Sequence, residues 1–204
     1  MRRVLRPARL ATALVALGVV TAVALGMITP AAQALPPGET VPITGTFSFT
    51  TGNGVLPTWE ANDLVLIGVS PGSVVTTATG ITARVQLPLV AKTGTAYAAA
   101  GGFRIANKDT GESVRCSTPT IDTAARVVDC VLPGGKNEQL FRISDIDSRS
   151  KVWGTTTTTN IFRGVELRIT DQDAADLLNK ALSVNTFSPS ITVGTGDLIA
   201  ARPR

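Results

Sequence analysis

Two cysteines, one tyrosine, two tryptophans and two closely spaced pairs of acids are the residues of this chain that could do chemistry. Cys116 and Cys130 are the only thiols. Between them, Ser117-Thr118-Pro119-Thr120-Ile121 reads as a strand, Asp122-Thr123-Ala124-Ala125 as a turn, and Arg126-Val127-Val128-Asp129 as a second strand. A hairpin folding at Thr123 sets the two sulfurs opposite each other, and in an oxidising compartment such a pair closes as a disulfide. Closing a loop of about 15 residues is worth ~3 kcal/mol in the chain-entropy account. Pro119 has no backbone donor, so its strand is expected at an edge or at a bulge. A redox or metal site is the competing reading, disfavoured by the distance between the thiols and the lack of histidine.

The chain has no histidine. Ser-His-Asp and Cys-His nucleophilic catalysis are therefore excluded, and the commonest metal ligand is missing. Gly94, Gly101 and Gly102 do not have the spacing of a dinucleotide fingerprint, and no phosphate-binding P-loop occurs. Carboxylates remain. Asp145 and Asp147, like Asp171 and Asp173, stand two apart and would share a face on a strand, as an acid/base pair or a calcium site requires. The expectation is that both pairs are solvated surface acids. Tyr97 lies in Thr95-Ala96-Tyr97-Ala98-Ala99-Ala100-Gly101, among small residues expected to leave its ring accessible. A phenolate can ligate haem iron, whereas a lone tyrosine more often sits at the edge of a core. Trp59 and Trp153 are either sugar-stacking platforms or core anchors, and anchoring is expected for both.

The elements that would hold these residues are mostly strands. Alternating or continuously apolar runs cover 43–49, 63–69, 81–87, 103–106, 113–118, 126–132, 139–143, 164–169, 191–193 and 197–200. Side chains on alternate faces give that period. The run 63–69 reads as central because it is nearly all apolar. Thr93 to Gly102 reads as an irregular connection. Thr155 to Asn160, with its run Thr155–Thr159, reads as an exposed loop or hairpin tip, or as an O-glycosylated or ligand-touching loop. One helix is expected after Thr170. Thr170 and Asp173 form a weak capping box, Asp171, Asp173 and Asp176 suit the positive end of the dipole, and Lys180 suits the other end. Ala174, Leu177, Leu178, Ala181 and Leu182 recur at helical spacing. The expected fold is all-β, an antiparallel sandwich or partly open barrel with one short helix in the C-terminal region. Aromatics are few, so Val, Ile, Leu and Ala are expected to fill the core.

Location is read from the first thirty-four positions. Arg2, Arg3, Arg6 and Arg9 precede an apolar run from Leu10 to Ile28, and Ala32-Gln33-Ala34 supplies a small-x-small cleavage pattern. This is the order of a secretory signal peptide, with 35–204 as one exported β-rich domain. Removing those four arginines from the 19 basic residues leaves a balance with the 15 acids. A neutral exported chain offers no electrostatic reason to bind nucleic acid, and no second apolar run suggests a membrane span.

The second half resembles the HtaA-type domains of secreted actinobacterial proteins. The likeness runs through Gly102-Phe103-Arg104-Ile105, the Asp109-Thr110-Gly111 turn, Leu140 to Asp145, and Val165 to Thr170. It continues in Ala174-Ala175-Asp176-Leu177-Leu178-Asn179 and from Phe187 through Gly194. The resemblance implies an all-β fold, surface exposure and, as in the best-known members, haem capture through tyrosine and histidine, for which Tyr97 is the one available ligand here. The reading from sequence is a secreted or cell-envelope-associated, non-enzymatic β domain with a binding or structural role and an extracellular or cell-wall partner. A haem-binding protein using Tyr97 and a carboxylate-based glycoside hydrolase are the alternatives.

Overall fold

A computed structural model describes residues 38–203. The expected signal peptide at 1–34 lies outside the described residues. Twelve strands and two helices follow. They are β1 (Thr40–Pro42), β2 (Thr44–Thr51), α1 (Val55–Glu60), β3 (Leu64–Val69), β4 (Ser73–Thr76), β5 (Ala83–Thr93) and β6 (Ala96–Ala99), then β7 (Gly102–Asn107), β8 (Ser113–Asp122), β9 (Val127–Val131), β10 (Asn137–Trp153), β11 (Thr157–Ile169), α2 (Gln172–Leu182) and β12 (Thr192–Pro203).

Eight strands pair antiparallel in the order β5-β2-β12-β11-β10-β9-β8-β6, and β6 pairs back to β5. The fold is therefore a closed barrel, which corrects the expectation of a sandwich or partly open barrel. Closure removes the exposed sheet edges that an open sheet would carry. The closing strand β6 falls where an irregular connection was expected. Its alanines give no period-2 signal, because a methyl group is tolerated on either face of the sheet. Outside this ring of eight, β3 pairs with β7 and β4 with β5, while β3 and β4 do not pair with each other. The apolar run at β3 is thus an outer strand and not a central one. Gly101 takes φ +74° at the β6–β7 corner, and any β-carbon there would strike the backbone of Val69, Pro71 and Gly72, so that corner requires glycine.

The two ends of the barrel differ. The helices follow β2 and β11 at one end, where Ala174, Ala175, Leu178 and Leu182 of α2 and Val55, Leu56 and Trp59 of α1 are buried. The N-cap of α2 is Asp171, whose Oδ1 accepts from Ala174 N at 2.9 Å. That moves the expected cap one residue on from Thr170, whose hydroxyl is buried without a partner. Inside the barrel Phe47, Phe49, Phe103 and Phe141 follow one another with centroids 5.8 to 6.0 Å apart. Four of the scarce aromatics meet at the centre, and Val, Ile, Leu and Ala make up most of the remaining core, as expected. The void left among them is only about 10 Å³, too small to hold a ligand.

The disulfide forms as expected between buried Cys116 and Cys130. The bulge at Pro119 also appears, as a register shift between Ser117 and Thr120. Among the described residues no helix is long and apolar enough to cross a membrane.

Candidate functional site

The end opposite the helices is built from the hairpin tips after β5, β8 and β10, together with the last residues of β12. Register decides what points inward there. Phe162 pairs with Arg149 and Leu198, Asn160 with Lys151 and Ala200, and Thr158 with Trp153 and Arg202. Residues directly opposite on neighbouring strands share a face. Leu198 and Ala200 are buried in the barrel, so Arg149, Lys151, Trp153 and Arg202 continue that inward face beyond the packed core. From the other wall Lys92 is opposite Tyr97 and so shares its face. The result is a cavity of about 130 Å³ lined by Lys92, Lys151, Trp153, Thr158, Asn160 and Arg202.

Three of those six residues are cations and none is an acid. Among the described residues the ion pairs are Lys136–Glu138, Arg163–Asp197 and Arg168–Glu166, all elsewhere. Two of the three cations, Lys92 and Lys151, rest on aromatic rings instead, as does neighbouring Arg149. Lys151 Nζ lies 3.9 Å from the Trp153 centroid, Lys92 Nζ 5.5 Å from Tyr97, and the Arg149 guanidinium 5.9 Å from Phe162. Such contacts hold a cation without neutralising it. Lys92 also donates to the carbonyl of Gly94. Burial pulls the Lys92 ammonium below the ordinary lysine value, and the charges of Arg202 and then Lys151 pull it further. That is the response of a half-buried cation beside two like charges. A concave mouth of one sign and low-dielectric walls concentrates counter-ions.

Tyr97 lies behind this mouth, its ring beneath the Lys92 ammonium and outside the cavity lining. Its ring is 2% exposed and meets Phe162 edge-on at 5.8 Å. The expected accessible ring is therefore a buried one, covered by β5, β8 and Phe162. Burial pushes its phenol up to about 12, which opposes the phenolate an iron ligand would need.

The two tryptophans diverge. Trp59 is an anchor as expected, 3% exposed and 5.5 Å from the Phe187 ring. Trp153 is 63% exposed, against the expected anchor role. Of the nine aromatic residues it alone stands largely in water. Thr157, Thr158 and Thr159 of the threonine run are part of β11, and Thr158 faces into the mouth. Only Gly154 to Thr156 form the tip.

The acid pairs do not come together. Asp145 and Asp147 are exposed on β10, where Asp145 accepts from the Ile146 N–H and Asp147 lies over Gly164. Asp171 caps α2, and Asp173 sits in its first turn. Sequence reasoning missed Lys92, Lys151 and Arg202 because they are far apart in the chain and each is unremarkable by type. Only the register joins them.

No family model matches this chain, and no curated protein does. Among solved structures it is similar to the heme binding protein HtaB from Corynebacterium glutamicum, with 10% identity and a TM-score of 0.46, over 81% of this chain and 98% of that chain. A likeness at that distance carries no chemistry, so the ligand must be argued from the mouth itself.

Proposed function

We propose that this protein is an exported, non-enzymatic binding domain of the extracellular space or cell wall, and that it captures an anion-bearing ligand at the open end of its barrel. The observation that carries this reading is the convergence of Lys92, Lys151 and Arg202 on one small cavity without an acid among its lining residues. Clustering like charges costs stability, and a bound anion would relieve that cost. The lack of histidine and the separation of the two acid pairs support binding over catalysis. The signal-like segment at 1–34 supports export.

A thermal-shift comparison of phosphate and sulfate against chloride, at constant ionic strength, tests the binding site. The multivalent anions should raise the melting temperature of the natural protein. The triple variant Lys92→Gln, Lys151→Gln, Arg202→Gln should melt higher than the natural protein in chloride and lose the response. An equal response in both proteins would remove the mouth as the site. Mass spectrometry of secreted material should give a chain beginning at Leu35.

A further inference from the structure

We infer that the ligand is a phosphorylated sugar, its phosphate held between Lys92, Lys151 and Arg202 and its ring laid on Trp153. This rests on the anion-binding reading of the same mouth and adds the chemistry of the ligand.

Size comes first. A cavity of about 130 Å³ is well below the ~300 Å³ at which sites for whole organic ligands begin. It takes a headgroup and leaves the body of the ligand outside. Charge selects the headgroup. Three cations facing one space match a dianion better than a single carboxylate, and a tetrahedral oxyanion offers an acceptor to each. The rim then selects the body. Trp153 borders the cavity and is 63% exposed, while every other aromatic ring is buried in the core or packed against it. Such exposure of a large ring, on a strand whose register aims it at the mouth, gives a flat apolar platform beside the charged pocket. Lys151 Nζ stands over one face of that ring, 3.9 Å from its centroid, so the sugar ring would lie on the opposite face with a cation just behind the plate. Asn160 is half-buried in the same wall, and its side chain makes no hydrogen bond to another described residue. Its carboxamide offers both a donor and acceptors to hydroxyl groups. An apolar plate, a free amide and a phosphate-sized cationic pocket side by side match a ring with one C–H face, hydroxyls at its edge and one phosphate.

Calorimetric titration of the purified protein with glucose, galactose and mannose 1-phosphates, inorganic phosphate, glucose and glucuronate tests this. At least one sugar phosphate should bind about tenfold tighter than inorganic phosphate, the increment expected from covering one ring face on an exposed tryptophan. Trp153→Ala should bring that sugar phosphate down to the affinity of inorganic phosphate and leave phosphate itself within about twofold. Arg202→Gln should weaken both by a similar factor. Equal affinities for every sugar phosphate and inorganic phosphate would overturn the sugar assignment, and glucuronate binding as tightly as the sugar phosphates would overturn the phosphate assignment. Either result leaves the anion-binding mouth standing. No binding by any of these anions would overturn both readings.

Discussion

The side-chain amide of Asn179 brackets the backbone of Phe187. Its Oδ1 accepts from the N–H groups of Thr186 and Phe187, each at 2.9 Å, and its Nδ2 donates to the Phe187 carbonyl, also at 2.9 Å. Phe187 is thereby set against Trp59, so one asparagine ties α2 to the α1 cap of the barrel floor. Asn179→Ala removes three partly buried hydrogen bonds and strands the backbone groups that made them. The expected loss is about 2–3 kcal/mol. For a domain of this size that lowers the melting temperature by roughly 4–12 °C. Calorimetry of the variant checks it, and a drop too small to resolve would show that the loop is held by Phe187 packing alone.

The same pair shows what the sequence discloses. Asn179 and Phe187 belong to the stretch that carries the family resemblance, and their work is structural. Local signals were readable wherever neighbours in sequence decide the outcome. The Thr123 turn, the disulfide and the Pro119 bulge are examples, as is the apolar face of α2. Barrel closure was not readable, because it depends on β6 meeting β5 and β8, and alanines take either face at little cost. Six-residue α1 contains Pro57, and its Gly54 N-cap makes no side-chain hydrogen bond. It forms because Val55, Leu56 and Trp59 are buried against the core. The mouth was illegible for a third reason. Trp153 reads as a core residue until the register carries β10 and β11 past the packed interior.

The disulfide should be a large single contributor. Cys116 and Cys130 are separated by 14 positions and join β8 to β9 within the closed wall. Replacing both by alanine should cost ~3 kcal/mol through the freed unfolded chain. Urea unfolding of the double variant should shift its midpoint down. An unchanged midpoint would mean that closure of the barrel already restrains this hairpin.

Tyr97 makes a spectroscopic prediction, since it is the only tyrosine. Its phenol, raised by burial to about 12, should show no phenolate absorbance near pH 10 while the protein is folded. The sign for stability follows. The unfolded chain ionises this group at about 10 and the folded one at about 12, so stability falls as pH rises through that interval. Tyr97→Phe should flatten the fall. Hemin added at neutral pH should give no Soret shift that Tyr97→Phe abolishes. A phenolate signal at pH 10 in folded protein, or a Tyr97-dependent Soret shift, would return the ring to service as a ligand.

Lys92 makes the pH prediction for the mouth. Burial first, then Arg202, then Lys151 hold its ammonium below the usual 10.5. An anion seated among these charges favours the protonated form, so binding should take up a proton in the alkaline range and raise the Lys92 value. Affinity should therefore fall as pH climbs through the lowered value toward 10.5, earlier than an ordinary lysine would allow. Without ligand the sign for stability is opposite to that of Tyr97. The folded state releases the Lys92 proton before the unfolded state does, so this contribution grows over the same range. Carbon NMR of the lysine side chains should show one resonance titrating early, moving upward with phosphate and also with Arg202→Gln. A Lys92 resonance that titrates with the exposed lysines and ignores phosphate would mean that the cations do not share a ligand, because only mutual repulsion and a common anion couple all three.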